Sequence, residues 1–263
     1  MAHQPDPVLR LLWRHGLDDP PAPRRGRRQS LSVDDVVDAA IRIADRDGLD
    51  ALTMRLLATE LGIGAMSLYT YVPGRKELLA LMADQVFRRR SLPPMPGDPR
   101  ERLALIARTH YEACREHPWM PDVMVLQNGV GPGMSDLYEW QLSGIDGIGL
   151  DDLEMDQTVA VLMGFAENIA RSQERMRQAE RTSGLSEAEW WEANAAELGT
   201  LMAGRDYPVS GRVGTAAGTA YQASADPAAE MEFGLARIID GIVAYVGLSG
   251  SGSGRPEVDD IVS

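Results

Sequence analysis

The sequence predicts an all-α protein. A three-helix helix-turn-helix unit at the N-terminal side is joined by a fourth helix to a larger helical domain. Three observations lead there. Apolar residues recur at helical spacing in segment after segment, and no long stretch alternates apolar with polar residues as a half-buried strand would. Helix starts recur along the chain, at Ser32, Thr53, Asp98-Pro99, Ser186-Glu187-Ala188-Glu189 and Asp226-Pro227. Between residues 32 and 90, four short helical patterns surround a tight Leu61-Gly62-Ile63-Gly64 turn. Two short helices joined by a glycine-containing turn can present the second helix to a DNA major groove.

Residues 1–31 read as a flexible basic arm. Pro20-Pro21-Ala22-Pro23 resists helix, Arg24-Arg25-Gly26-Arg27-Arg28 is a dense cationic cluster, and the apolar patch from Val8 to Trp13 could dock on the body. The arginines have two readings, a DNA-following arm or a solvated linker. Ser32 caps a first helix over 33–47, with Asp34 and Asp35 at its positive end and Gly48 closing it. The second helix starts near Thr53 and carries Leu56, Leu57 and Leu61. The third spans about 65–71, with Leu68 and Val72 turned inward. Pro73-Gly74 breaks it, and the fourth runs from Arg75 to about Arg90.

The loop 91–98 is the expected domain boundary. Beyond it, helices are expected over 99–117, 121–127, 134–147, 151–181, 186–203 and 226–246, forming a second domain over 98–247. Residues 205–226 are rich in Gly, Ala and Thr and read as mobile. Residues 248–263 read as a disordered tail.

Charge is divided unevenly. Residues 1–92 carry 14 Lys/Arg against 12 Asp/Glu, whereas residues 93–263 carry 12 against 27. Phosphate would repel the second half, so any nucleic acid should meet the first. The single cysteine, Cys114, precludes an internal disulfide and suits a reducing cytoplasm. No apolar run is long enough to cross a bilayer, no export signal fits, and neither a membrane nor a cofactor is expected.

The run from Ala51 to Gly62, then Ser67-Leu68-Tyr69, then Tyr71 to Leu79, resembles the tetracycline-repressor (TetR) family of regulators. The match spans about residues 32–82. More weakly, Asp226 to Gly241 is similar to the last helix of that family's ligand domain. The resemblance implies a homodimeric repressor, a palindromic double-stranded DNA operator and a small-molecule effector bound in the C-terminal domain. Tyr71 departs from the family's usual His, and the basic residue of the turn falls on Arg75 or Lys76.

On this resemblance Thr53 contacts a phosphate, and Arg55 a guanine edge or a phosphate. Ala65, Met66 and Ser67 sit at the end of the recognition helix that usually reads bases. Thr70 shares its outer faces, and Tyr69 and Tyr71 would bond phosphates through their hydroxyls. Arg75 and Lys76 begin a helix whose free N–H groups also favour phosphate. For the effector, the candidates are His110, Met124, Gln127, Trp140, Met163 and Asn168, drawn from a domain rich in Met and Trp. Asn168, within an apolar stretch, needs a polar partner if buried: a ligand, a backbone group or a second copy. His110, Cys114 and His117 share one helical face. They could be metal ligands, but no second segment completes the set, so a half-buried stripe is the better reading and no metal is expected.

Enzymatic function is not expected. Four histidines, no serine elbow and no phosphate loop leave no nucleophile–base–orienter set. The alternative to a regulator is a helical protein-interaction module without an effector pocket.

Overall fold

The computed structural model describes residues 8–16, 31–124, 130–223 and 225–249. These form twelve helices and, among the described residues, no strand. α2 (Val33–Asp47), α3 (Met54–Glu60), α4 (Ala65–Leu68) and α5 (Arg75–Arg89) make the N-terminal unit. Ser32 caps α2 in a reciprocal box with Asp35, and the Thr53 hydroxyl accepts the Leu56 N–H at 3.1 Å to start α3. The turn between α3 and α4 passes through Gly62 at φ +66°, a conformation that side chains other than glycine rarely adopt. Behind the turn, Val36, Ala40, Ile43, Leu57, Leu68, Val72, Leu78 and Met82 are buried. Each large member contributes about 1.5–3 kcal/mol by leaving water.

α5 is more than an amphipathic side. Every residue from Leu78 to Phe87 is buried, because α1 (Val8–Leu12), α2, α7 (Met120–Met124) and α8 (Pro132–Ile145) all pack on it. The loop 91–98 therefore does not separate two independent bodies. α5 belongs to both. α6 (Pro99–Glu116) then crosses the second domain, started by Asp98 and Pro99 as expected. It packs on α8, on α9 (Asp152–Ser183) and on α12 (Pro227–Ser249). Asp151 and Glu154 form a capping box on α9, and Gly184 closes it at φ +70°.

Two expectations need correction. The arm 1–31 is not wholly flexible: α1 buries Val8 and Leu12, and Trp13 Nε1 donates to Val130 O at 2.8 Å. The Arg14 guanidinium reaches Asp34 and Gln85. Arg24–Arg28 lie outside the described residues, as do 250–263. The stretch 205–226 is also not loop throughout, since α11 (Pro208–Tyr221) occupies it. Neither α11 nor α10 (Glu187–Leu201) buries a single residue, which is why composition pointed to mobility.

Candidate DNA interface and effector region

The outer faces of α3 and α4 hold the sequence-predicted DNA residues. Thr53, Arg55, Ala65, Met66, Ser67, Tyr69 and Thr70 are all exposed, and Tyr71 is half-buried. Met66 is 80% exposed, while Leu68 on the opposite side is fully buried. Arg55 forms no hydrogen bond or ion pair through its guanidinium with the described residues. Thr53 is occupied as a cap, and the Thr70 hydroxyl donates to Ser67 O at 2.6 Å. The face thus presents the Arg55 guanidinium, exposed hydroxyls and apolar contact atoms on a packed core.

Arg75, a phosphate candidate, is engaged within the protein. Its guanidinium bends back to the turn between α2 and α3, donating to Leu49 O at 2.9 Å and to Leu52 O at 3.2 Å. A planar fork can serve two carbonyls at once, so Arg75 ties α5 to the turn that presents Thr53. Lys76, beside it, is exposed.

The effector candidates do not converge as a set. His110 is fully buried, with Nε2 3.1 Å from Glu167 Oε1, and its ring is stacked on Phe87 at 6.0 Å and 7°. Its Nδ1 is buried and has no partner among the described residues. Met163 Sδ lies 3.0 Å from the buried Gln141 amide. Met124 is half-buried. Trp140 turns away, its indole N–H donating to Pro93 O at 2.9 Å. Asn168 is exposed, not buried, and needs no internal partner. Gln127 lies outside the described residues. None of the candidates lines the surface cleft described below.

Sequence reading missed Glu167 by one residue. Val159, Leu162, Ala166, Ile169 and Ala170 are the buried positions of α9. At 100° per residue, 167 flanks that face and 168 falls opposite it. The metal set dissolves similarly. Cys114 is buried, with its thiol pushed up to about 12 by desolvation, and His117 Nδ1 instead lies 2.9 Å from Asp45 Oδ1 on α2. No cluster of metal-ligand residues occurs among the described residues.

A helix-turn-helix with an outward reading face, built onto a larger helical domain with a buried polar pair, defines a DNA-binding regulator with a sensing domain. The family can be stated as well. Residues 36–82 match the profile described as bacterial regulatory proteins, tetR family, and residues 93–246 match the tetracyclin repressor-like C-terminal domain. The chain belongs to the TetR family. It is 39% identical over 241 residues to the HTH-type transcriptional repressor DrrR1 of Streptomyces coeruleorubidus, covering 91% of this chain and 86% of that protein. Among solved structures, apo ActR from Streptomyces coelicolor is similar, with a TM-score of 0.65 and 28% identity. That match covers 82% of this chain and 97% of ActR. ActR in complex with actinorhodin gives the same TM-score and identity, over 82% and 99% of the chains. As a family member, the protein is a ligand-responsive DNA-binding transcriptional regulator. Its partners are operator DNA, a second copy of itself and a small-molecule effector. No helix of the described residues is long and apolar enough to cross a membrane.

Proposed function

We propose that the protein represses transcription as a homodimer on a palindromic operator and leaves that site when its effector binds. The observation that carries this reading is the outer face of α3 and α4. Arg55, Met66, Ser67 and Tyr69 face solvent while Leu57, Leu68 and Val72 fix them from behind. In this reading Arg55 contacts a guanine edge or phosphate. Ala65 and Met66 touch thymine methyls, and Ser67, Tyr69, Tyr71 and Lys76 meet phosphates. Arg75 acts by holding the turn beneath Thr53. Paired recognition helices would enter successive major grooves about 34–36 Å apart. The second copy covers the exposed apolar residues of α9 and α12, among them Leu153 at 74%, Val161 at 53% and Phe233 at 68% exposure. The protein works in the cytoplasm by binding, without a catalytic step.

The effector site centres on His110. If Nε2–H faces Glu167, the unpartnered Nδ1 is an acceptor. It would select an effector that presents a hydroxyl donor beside an apolar body, flanked by Phe87. ActR has been solved with actinorhodin and with (S)-DNPA, which supports a small organic effector here. His110 lies on α6 and Phe87 on α5, so a ligand there would act on the helix that carries the DNA unit. The test is a fluorescence-anisotropy titration with DNA from upstream of the protein's own coding region, with and without hydroxyl-bearing aromatic compounds. Failure to prefer any palindromic segment over random DNA at moderate salt would sink the proposal.

A further inference from the structure

A cleft of about 1010 Å³ separates the end of α2 from the C-terminal end of α6 and the second half of α9. Its wall residue Arg171 lies 3.9 Å from Glu167, the partner of His110, but the cleft is lined by neither the DNA-facing residues nor the effector candidates. Its floor is a joint between the two domains: Asp45 Oδ1 on α2 accepts the Trp119 indole N–H at 2.7 Å and lies 2.9 Å from His117 Nδ1.

The lining holds six arginines and six carboxylates, unevenly placed, with five of the arginines on the α6–α9 side. Arg46 is matched by Asp47 at 2.7 Å, and Arg171 by Asp122 at 3.3 Å. Glu116 is held at 2.7 Å by Arg90, which lies outside the cleft. Glu174 serves both Arg177, at 3.8 Å, and Arg181, at 3.4 Å. Arg115 leans over the Tyr111 ring, 5.8 Å from its centroid, and like Arg175 it has no carboxylate partner among the described residues. On the facing wall Asp50 has no cationic partner among the described residues, and Asp45 is hydrogen-bonded by the Trp119 indole with His117 beside it. The α6–α9 side therefore carries a cationic surplus within a concave space of small-molecule size. Exposed guanidinium forks are suited to bind phosphate or carboxylate oxygens two at a time.

We propose that this cleft is a second ligand site, one that binds a small polyanion bearing phosphate or carboxylate groups. Arg115 and Arg175 are its principal contacts, with Arg177 and Arg181 sharing the remaining charge. The occupant sits between α2 and the α6–α9 wall. α2 leads through the turn 48–52 to Thr53 and Arg55, so occupancy bears on how the DNA face is presented. Any effect of the anion on operator affinity must be matched by an equal effect of operator on anion affinity.

Isothermal titration of the full chain with inorganic pyrophosphate, at ionic strength held constant with KCl, tests the proposal. Saturable binding is expected. It should weaken at least tenfold in Arg115→Ala/Arg175→Ala and remain in Arg55→Ala, which removes a cation from the DNA face. Both cleft arginines are exposed, so the fold should survive, and an unchanged melting temperature checks it. Arg175→Glu alone gives a second, independent variant. Three results would overturn the site: no saturable binding at millimolar pyrophosphate, equal binding by the double variant, or loss confined to Arg55→Ala. DNA phosphate is the other possible anion. If the double variant lowers the salt slope of operator binding by about two counterions, these arginines serve DNA and the proposal fails.

Discussion

Gly133→Ala should damage both stability and operator binding, although residue 133 lies in the second domain, away from the DNA face. Gly133 is the second residue of α8, and α8 meets α5 so closely that its backbone rests against Asp84 and Arg88. A Cβ at 133 would lie 2.1 Å from Asp84 O and 2.6 Å from Arg88 N, against ordinary contacts of 3.4 Å and beyond. Both obstacles are backbone atoms, so no side-chain rotation relieves them. α8 would have to retreat by about 1 Å, and overpacking of this kind costs about 1–3 kcal/mol. The retreat also breaks a helix cap. Gly131 offers no side chain to the start of α8, and the buried Asp84 carboxylate fills that role from α5, accepting the Met134 N–H at 3.0 Å. Losing a hydrogen bond to a charged group adds about 1.5–3 kcal/mol. For a chain of this size the two effects together lower the melting temperature by roughly 5–25 °C.

Thermal unfolding and operator anisotropy, measured on the same preparations, read both effects. Gly199→Ala in α10 is the matched control: nothing lies within 4 Å of the added Cβ. Alanine favours a helix interior by about 1 kcal/mol, so the control should melt unchanged or slightly higher. Wild-type melting together with wild-type operator affinity in Gly133→Ala would refute the close joint between α5 and α8.

Four further outcomes follow from single groups. Arg55→Ala should reduce operator affinity by roughly 5- to 150-fold with unchanged melting, because it lacks an internal partner; anisotropy with calorimetry checks it. Arg75→Met should instead lower stability, by about 1–3 kcal/mol in urea denaturation, because the two hydrogen bonds that tie α5 to the carbonyls of Leu49 and Leu52 are lost. Burial pushes the Asp34 carboxyl up, but the Arg14 hydrogen bond and the charges of Arg14, His15 and Arg88 outweigh it and hold it below its ordinary 3.8. Its stabilisation is therefore present above that value and lost as pH falls through the lower folded one, so Asp34→Asn should flatten the acid limb of a stability–pH curve. Finally, Cys114, with its thiol pushed up to about 12, should resist iodoacetamide at pH 8 in the native protein and react once unfolded in urea; rapid native alkylation would contradict its burial.

How much of this was legible in the sequence depends on the range of each interaction. The caps at Ser32, Thr53, Asp98 and Ser186 were readable because cap and helix lie within three residues of each other. The inward positions Leu57, Leu68, Val72 and Leu78 were readable from spacing. Asp84 was not, because the helix it caps begins 48 residues later in the chain. Arg75 looked like a phosphate ligand because a cation at a helix start has that local meaning; the carbonyls that claim it lie 23 and 26 residues away. Asn168 and Glu167 were confused because helical phase was not carried along α9 from Val159. α1 was readable only as an apolar patch, since its partner α5 follows more than sixty residues later.

The directional bonds around α5 explain why a sensing domain can govern this DNA unit at all. Close apolar packing transmits strain, and the directional hydrogen bonds of α5 fix which elements move with it. Asp84 is fixed to the start of α8 in the effector domain, while the adjacent Gln85 bonds Asp38 on α2 and receives Arg14. Neighbouring residues on a helix point about 100° apart, so one rotation of α5 strains both sets together. Phe87, one turn on from Asp84, stacks on His110 at the proposed effector site. A ligand that displaces His110 therefore acts on a helix whose polar contacts are pinned on both sides. On the proposed function, the response moves α2 and α3 with it and carries Arg55 out of register with its groove.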